Sequence, residues 1–316
     1  TQKIIDFAKN LDKVYVLEEL DPFIEEHCKA IGVDVIGKDA FTLLGEYSPN
    51  MIKKGVLGED TEIAACADEP IPVRPPVMCP GCPHRGSFYV LKKLGLTVCG
   101  DIGCYTLGAT APLTTLDSTV CMGASIGNAL GMAKARGEEF NKKLISVIGD
   151  STFIHSGITG LIDIVYNKGA NTVMILDNSI TGMTGHQDNP TTGKTIRGES
   201  TKAVDLELLC KAVGIEHIAI VDPFDIAALE ATVKEELARP EPSVIISQRP
   251  CALLKTVKYT GHAVISDKCR KCRKCMQIGC PALSFDEEGV HVDLNQCNGC
   301  GLCVNVCPFG AIAKED

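Results

Sequence analysis

The residues best suited to chemistry are the cysteines, which number 17 in a chain of 316 residues. Eight of them fall between Cys269 and Cys307 and repeat one unit, first as C-x2-C-x2-C-x4-C-P and then as C-x2-C-x2-C-x3-C-P. The second form is the bacterial run that binds a [4Fe–4S] cluster. Because the gaps are short, three thiolates of one loop can reach three corners of a cubic cluster. Tetrahedral zinc prefers ligands in two pairs and fits this spacing poorly.

We therefore predict two [4Fe–4S] clusters, each with three ligands from one half of the repeat and the fourth from the other half. The two predicted ligand sets are Cys269, Cys272, Cys275 and Cys307 for the first cluster, and Cys280, Cys297, Cys300 and Cys303 for the second. Two basic pairs, Arg270-Lys271 and Arg273-Lys274, lie in the first loop. They either offset the negative charge of the cluster, or raise its potential and dock an acidic electron carrier.

A second group of polar residues follows two predicted strands, at Gly149-Asp150 and at Asp177-Asn178. Open α/β sheets bind ligands at the carboxyl ends of their strands. A carboxylate and an amide oxygen are hard donors that suit Mg²⁺, which shares its shell with substrate phosphates. The segment 181–185 adds hydroxyls and flexible backbone for a diphosphate. This arrangement resembles the thiamine diphosphate motif, although an ordinary βαβ unit with a surface aspartate has the same outline.

The elements that would position these residues alternate between strands and helices. Predicted strands cover 13–17, 96–100, 118–122, 144–150, 172–178, 217–221 and 243–247. Predicted helices cover 21–31, 124–136, 157–168 and 223–238. Asp21 is the expected N-cap of the first helix, and Gly137 is expected to end the second. The alternation favours an α/β fold built on a doubly wound, mostly parallel sheet.

Composition shifts divide the chain. Residues 46–76 are rich in proline and glycine and are predicted to form an extended linker. Residues 77–258 carry the alternating strands and helices of the diphosphate-binding domain. Residues 259–316 collapse into short cysteine-rich turns and are predicted to form a small ferredoxin-like α+β domain with two clusters.

Charge and hydropathy exclude some functions. The net charge is −9, whereas nucleic-acid proteins usually carry a basic excess, so we expect no nucleic acid partner. No apolar run reaches the ~18 residues that cross a bilayer, and the first residues do not form a signal peptide pattern. We therefore expect a cytoplasmic protein without a membrane span.

Metal or redox chemistry explains the cysteines of such a chain better than disulfides do. Five cysteines without partner spacing are expected in the core: Cys28, Cys66, Cys99, Cys121 and Cys210.

Several segments together resemble the carboxyl-terminal part of the large (alpha) subunits of the indolepyruvate:ferredoxin oxidoreductases. That family belongs to the superfamily of 2-oxoacid:ferredoxin oxidoreductases. The resemblance covers nearly the whole chain, from VLEELDPFIEE to the carboxyl terminus. Its segments are CPGCPHRGSFYVLKKLG, GDIGCYTLG, CMGAS, GDSTFIHSGITGL, LDNSITGMTGHQDNP and the tandem cysteine repeat.

The resemblance implies an enzyme that decarboxylates a 2-oxoacid, here an arylpyruvate such as indolepyruvate, on thiamine diphosphate. Such enzymes release acyl-CoA and CO2 and pass electrons one at a time through iron–sulfur clusters to ferredoxin. By the same resemblance Asp150, Asn178 and the Ile180 carbonyl would bind Mg²⁺. Thr184 and Gly185 would lie at the diphosphate.

A third cluster, close to thiamine diphosphate, is also implied. In the related pyruvate:ferredoxin oxidoreductases a C-x2-C, a Gly-Cys and a later Pro-Cys hold it. The matching residues of this chain are Cys79, Cys82, Cys104 and Cys251. The alternative is a set of free cysteines. Three histidines near these motifs are candidates for proton transfer, with ordinary polar contacts as the alternative: His84, His155 and His186.

The family's large subunit begins with a further α/β domain that contacts the pyrimidine ring of the cofactor, and the resemblance implies that this sequence starts inside the domain after it. We expect residues 1–45 to be a remnant of a domain like the carboxyl-terminal domain of transketolase. The remaining part of the large subunit, or a split-gene equivalent, and a smaller beta subunit are the expected partners. Alternative functions are a related oxidoreductase acting on pyruvate or branched-chain 2-oxoacids, a non-oxidative thiamine decarboxylase, and an electron-transfer subunit with a vestigial thiamine fold.

Overall fold

The computed structural model describes residues 1–62 and 71–315. It contains two compact units, Thr1–Val73 and Arg74–Asp316. Cys66, which the sequence places in the core, lies outside the described residues, as does part of the predicted linker. None of the helices in the described ranges combines the length and the apolar content that crossing a bilayer requires.

The first unit is small, and its regular secondary structure is helical. Its helices are α1 (Gln2–Ala8), α2 (Phe23–Ala30) and α3 (Pro49–Leu57). The strand predicted at 13–17 is wrong in extent, since only a single parallel bridge joins Tyr15 to Ile36. A small apolar cluster around Cys28, Val33 and Val35 forms the core of this unit.

Two local features of this unit differ from the sequence predictions. The first turn of α2 is capped by the Glu18 carboxylate, which accepts hydrogen bonds from the amides of Ile24 and Glu25, rather than by Asp21. The segment predicted as an extended linker contains α3. Ser48 caps this helix by accepting from the Met51 amide, and Pro49 occupies its first position. These are strong helix-start signals that outweigh the proline and glycine content around them.

The second unit is built on a six-stranded parallel sheet. Its strands are β1 (Thr97–Gly100), β2 (Ser118–Thr119), β3 (Leu144–Gly149), β4 (Thr172–Asp177), β5 (His217–Val221) and β6 (Ser243–Gln248). Their spatial order is β2-β1-β3-β4-β6-β5. β3 and β4 are buried along their whole length, as expected where helices cover both faces of a parallel sheet. β2 is shorter than the predicted 118–122 because it lies at the sheet edge with one neighbour.

The helices of this unit are α4 (His84–Lys93), α5 (Ala124–Arg136), α6 (Glu138–Asn141), α7 (Asp150–Thr152), α8 (Ile158–Tyr166), α9 (Leu206–Ala212), α10 (Ile226–Leu237) and α11 (Leu302–Val306). The bounds of α5 match the prediction, and Gly137 ends it. α10 starts at Ile226, later than predicted, because Asp225 caps it. The helix predicted at 157–168 begins earlier: α7, a π-helical turn at Phe153–Gly157 and α8 follow one another without a break.

Successive residues of each strand point to opposite faces of the sheet, and a hydrophobic core lies on each face. On one face Ile148, Ile175 and Ile246 pack under α5, α8 and α9. On the other face Val147, Met174 and their neighbours pack under α4 and α10. The cysteine-rich part shares this second core, to which it contributes Ile278, Leu283, Val290, Leu302, Val306 and Ile312. The cysteine-rich part is therefore packed on one face of the sheet.

The cysteine-rich part has the small α+β character that the sequence predicts. Its strands form two antiparallel pairs, β7 (His262–Ile265) with β10 (Ile312–Glu315) and β8 (Leu283–Phe285) with β9 (Val290–Val292). The two pairs and α11 hold the cysteine loops between them. Of the five cysteines expected in the core, Cys28, Cys99 and Cys210 are buried, whereas Cys121 is exposed because it follows the short edge strand.

Candidate cofactor site and cysteine-lined cavities

The first cavity lies where the order of the sheet reverses. From β1 the chain moves outward to β2, and it then returns to β3 on the other side of β1. Such a reversal opens a crevice at the carboxyl ends of the two strands, and open α/β sheets bind ligands there. A cavity of about 280 Å³ occupies this position, lined by the loop after β1, the start of α7 and the segment after β4.

Asp150 projects from the end of β3 into this cavity. Its side chain is buried. Burial and the nearby negative charge of Asp177 raise the pKa of Asp150 to about 7. The Thr191 hydroxyl donates a hydrogen bond to the carboxylate over 3.4 Å. Within the described residues no lysine or arginine pairs with Asp150, so a divalent cation is the kind of group that would keep this carboxylate ionised.

Asn178 lies beside Asp150 at the end of β4 and is also buried. Its Oδ1 accepts a hydrogen bond from the Ile180 amide, and its Nδ2 lies 3.5 Å from Nε2 of His84. Burial lowers the pKa of His84 to about 4, so its imidazole is neutral near pH 7. Ile180 lines the same cavity. The oxygen donors that this group presents fit Mg²⁺.

The other residues predicted at this site do not all meet there. Thr184 and His155 line the cavity with Asp150. His155 lies in the π-helical turn, a distortion that is frequent at functional sites, and its Nδ1 contacts the Ser156 hydroxyl. Gly185 is outside the cavity lining, and His186 lines a neighbouring cavity instead.

Sequence reasoning missed two residues that hold the loops around this cavity in place, Asp101 and Tyr105. The carboxylate of Asp101 is fully buried and accepts hydrogen bonds from the amides of Gly123 and Ser125, which ties the loops after β1 and β2 together. The Tyr105 ring packs so closely on Gly103 and Gly149 that a Cβ at either glycine would lie 2.4 or 2.7 Å from it. Gly100 and Asp101 form a Gly-Asp pair at the end of a strand, as Gly149 and Asp150 do. This pair was the available sequence signal for Asp101.

A second cavity, of about 70 Å³, is lined by all four cysteines of the predicted third cluster, Cys79, Cys82, Cys104 and Cys251. It shares part of its wall with the first cavity, namely His84, Cys104, Asn178 and Gly182. Cys251 reaches this place because its amide donates to the Asn178 carbonyl over 2.9 Å. His186 contacts the same group, with Nε2 3.9 Å from the Cys251 sulfur.

Two further cavities separate the eight cysteines of the repeat into the two sets that the spacing predicts. One is lined by Cys269, Cys272, Cys275 and Cys307. The other is lined by Cys280, Cys297, Cys300 and Cys303. Backbone amides are aimed at two of these sulfurs, from Ala263 to Cys297 over 3.4 Å and from Ala311 to Cys307 over 3.3 Å. Such donors stabilise thiolate ligands of iron–sulfur clusters.

The cysteines surround these cavities instead of converging on a point. Burial raises the pKa of Cys82 and of Cys303 to about 12, so both are thiols unless a metal holds them as thiolates. In residues 1–62 and 71–315 no three histidine, cysteine or acidic side chains are arranged around a single metal ion. Four sulfurs spread around a cavity suit a cubic cluster, whose iron atoms bind one thiolate each.

Comparisons with known proteins agree with these sites. The family described as thiamine pyrophosphate enzyme, C-terminal TPP binding domain, matches residues 101–247, and the 4Fe-4S binding domain family matches residues 290–313. The indolepyruvate oxidoreductase subunit IorA of Archaeoglobus fulgidus is 39% identical to this chain over 98% of the chain. The chain therefore matches the carboxyl-terminal part of a 2-oxoacid:ferredoxin oxidoreductase.

Two further relatives match over very different shares of the chain. Subunit IorA of Thermococcus kodakarensis is 39% identical over 96% of this chain. The pyruvate synthase subunit PorD of Methanocaldococcus jannaschii is 44% identical over 16% of this chain and 59% of its own length. The chain covers 53% of each of the two IorA proteins, so it spans about half the length of these curated relatives.

The two family matches and the parallel sheet confirm three predictions. They are the α/β fold, the thiamine-diphosphate-binding domain and the iron–sulfur domain that follows it. Mg²⁺, the number of clusters, the domain bounds and the roles of individual residues stay predictions.

Proposed function

We propose that this chain is the part of a 2-oxoacid:ferredoxin oxidoreductase that binds thiamine diphosphate and carries electrons away from it. The reaction is the oxidative decarboxylation of an aryl 2-oxoacid, indolepyruvate or a similar arylpyruvate, with CoA. Its products are acyl-CoA, CO2 and reduced ferredoxin. Similarity to 2-oxoacid:ferredoxin oxidoreductases supports the reaction class, and the names of two of the relatives support the aryl substrate.

One observation carries this proposal: the candidate cofactor cavity and the four-cysteine cavity share a wall. Cys104 and Asn178 line both. A thiamine enzyme without an oxidative step needs no electron acceptor beside its cofactor. A cluster behind this wall would take electrons one at a time from the cofactor, which itself supplies the chemistry of decarboxylation.

The residues of the first cavity would act by holding the diphosphate end of the cofactor. Asp150, Asn178 and the Ile180 carbonyl would bind Mg²⁺, and the metal would bind the diphosphate. Thr184 lines the same wall, and its hydroxyl, which donates to Oε1 of Gln187 over 2.7 Å, would have to leave that partner to donate to the diphosphate. His84 is neutral and buried, and its contact with Asn178 orients that amide. His155 is the histidine of this cavity that can exchange protons with substrate, whereas His186 lies nearer the cysteine group.

Electrons would leave through the cysteine-rich part. Of the four cysteines in the first ligand set, Cys272 is exposed. The four basic residues around it, Arg270, Lys271, Arg273 and Lys274, are exposed as well, in a chain whose net charge is −9. A basic surface next to an exposed cluster ligand suits an acidic ferredoxin as the acceptor.

The complete enzyme needs further parts. We propose that the rest of the large subunit, or a separate chain equivalent to it, supplies the pyrimidine-binding domain, that a smaller beta subunit completes the complex, and that the complex is cytoplasmic. The length of the IorA relatives, about twice that of this chain, supports the first of these partners.

The test is a reconstituted complex of this chain with those partners, prepared anaerobically. Reduction of ferredoxin is measured with CoA and with indolepyruvate, pyruvate or a branched-chain 2-oxoacid. The expected result is CoA-dependent reduction with indolepyruvate preferred over pyruvate. Asp150→Ala should abolish the reduction, while Asp163→Ala, a control in α8, should leave it unchanged.

Other outcomes select other functions. A preference for pyruvate would assign the chain to a different branch of the superfamily. Decarboxylation without ferredoxin reduction would indicate a non-oxidative thiamine enzyme. Ferredoxin reduction that survives in Asp150→Ala would indicate an electron-transfer subunit with an unused thiamine fold.

A further inference from the structure

Arg85 lies at the contact between the sheet and the cysteine-rich part. It belongs to the first turn of α4, three residues after Cys82, and only 2% of its surface is exposed. In the described part of the chain its guanidinium has no carboxylate partner. A buried cation without a counter-charge is costly, so the missing negative charge calls for an explanation.

The guanidinium of Arg85 donates its hydrogen bonds to backbone carbonyls on both sides of this contact. On the side of the sheet it donates to the carbonyl of Cys79, over 3.0 Å, and to that of Met78. On the side of the cysteine-rich part it donates to the carbonyl of Ile278, over 3.0 Å, and to that of Gly279. Arg85 therefore joins the loop of Cys79 and Cys82 to the loop that ends in Cys280.

A second contact joins the same two regions. The Asn298 amide donates to the Pro80 carbonyl over 3.0 Å. A Cβ at Gly81 would lie 2.5 Å from that amide nitrogen, so the two cysteine loops touch directly. Pro80, Gly81 and Arg85 line the cavity of the second ligand set of the repeat. Arg85 does not line the cavity of the first set, which contains Cys269.

The ionisable groups that act electrostatically on Arg85 come from both cysteine groups. The cysteines that interact electrostatically with it are Cys79 and Cys82 from the four-cysteine cavity, and Cys280 and Cys300 from the second set of the repeat. A cluster bound by four thiolates is negatively charged. Two such clusters, one on each side, would supply the counter-charge that a buried guanidinium needs.

We propose that Arg85 is a positioning residue for electron transfer, and that its fixed positive charge raises the potentials of the two clusters between which it lies. This inference rests on the proposed function, because it requires a cluster in each of those two cavities. One electron leaves the cluster of Cys79, which is oxidised, and enters the cluster of Cys280, which is reduced. Arg85 keeps its proton and its contacts throughout.

The experiment is a redox titration of the full chain with its clusters, followed by electron paramagnetic resonance. Arg85→Gln removes the charge but keeps a hydrogen-bond donor. We expect it to lower the equilibrium constant for reduction of the two flanking clusters at least about tenfold, or 59 mV for one electron. The cluster of Cys269 should change less than about twofold. Arg85 does not line its cavity, and its cysteines are not among those that act electrostatically on Arg85, whereas Cys79 and Cys82 are.

Two further variants separate charge from structure. Arg85→Lys keeps the charge, so its flanking clusters should stay within about threefold of the wild type. Lys92 lies in the same helix and also donates to a backbone carbonyl, but it is exposed. Lys92→Gln should therefore leave the potentials of all clusters unchanged. If Arg85→Gln fails to bind clusters, Arg85→Lys decides: wild-type constants support the proposal, and a tenfold change despite the retained charge overturns it.

The failures are distinguishable. A wild-type chain without a resonance from the cluster of Cys79 would contradict the third cluster of the proposed function and, with it, the role of Arg85. Wild-type resonances from all three clusters, with no shift or an equal shift of all three in Arg85→Gln, would leave the proposed function intact. That result would overturn only the inference about Arg85.

Discussion

The eight cysteines of the repeat and the four cysteines of the central cavity line similar cavities, but the chain brings them together differently. The eight come from one short segment, Cys269–Cys307. The four come from three loops, around Cys79, Cys104 and Cys251, that are far apart in the sequence. The first group is set mainly by local spacing, and the second by the order of strands in the sheet.

This difference has consequences for stability. Ligands in the repeat, such as Cys275 and Cys303, belong to a hydrophobic core that the cysteine-rich part shares with the sheet. We therefore expect loss of a cluster there to disturb packing. In the central group Cys82 belongs to the same core, but Cys104 and Cys251 do not. The strands of the sheet pair without these two cysteines, so we expect the sheet to remain folded when that cluster is lost through Cys251.

The largest expected effect is that of Cys303→Ser. This substitution should remove about four iron atoms per chain and loosen the core around α11, because a buried ligand is lost. Anaerobic iron analysis and protease sensitivity measure the two effects. Cys210→Ser, at an equally buried cysteine that lines none of these cavities, is the control and should keep its iron. Retention of all iron by Cys303→Ser would contradict the assignment of the repeat.

A more confined effect is expected for Cys251→Ala. It should also lower the iron content by about four atoms, but protease sensitivity should match the wild type. Cys99→Ala, in β1, is the control because Cys99 is buried away from the four-cysteine cavity. An iron content equal to that of the wild type would show that the four cysteines hold no cluster, and the contrast between the two groups would then be one between ligands and free thiols.

Asp150→Ala should leave both groups of cysteines loaded with iron. The expected loss is in affinity for thiamine diphosphate with Mg²⁺, by about 100-fold or more, since even partners outside the ligand shell contribute 10–100-fold. Calorimetric titration of the reconstituted complex measures it. The matched control is Asp163→Ala, at an aspartate of α8 outside the cavity lining. Unchanged affinity would refute the role of Asp150, and loss of iron would show that the sites depend on each other.

The smallest effect is expected for Asn298→Ala, which breaks one hydrogen bond between the two regions. A net loss of about 1 kcal/mol is typical of such a bond. Anaerobic unfolding in urea should show a lower midpoint for the cysteine-rich part, with unchanged iron content before unfolding. The exposed Gln277 provides the control Gln277→Ala. A midpoint equal to that of the wild type would mean that this contact does not couple the regions.

Local sequence determined the elements with strong signals. The bounds of α5 and β5 agree with the prediction because small-residue periodicity and a terminal glycine define the first, and a short β-branched run defines the second. The alternation of strands and helices along the sequence was enough to place Asp150 and Asn178 at one edge of a parallel sheet. The cysteine spacing was enough to predict which four cysteines line each cavity of the repeat. The three thiols of each short loop stay together, and the exchange of Cys280 and Cys307 follows the bacterial [4Fe–4S] run.

Only the tertiary structure decided which distant residues meet. The order β2-β1-β3-β4-β6-β5 puts Cys251 beside Asn178, and no local pattern specifies that order. It also moves His186 from the diphosphate region to the cysteine group. Arg85 could not be found from sequence, because a single arginine has no distinguishing spacing, whereas Asp101 had a signal in the Gly-Asp pair at the end of β1. Both side chains act through hydrogen bonds to backbone groups that folding brings to them. Every residue carries such groups, so the sequence does not indicate which ones become the partners.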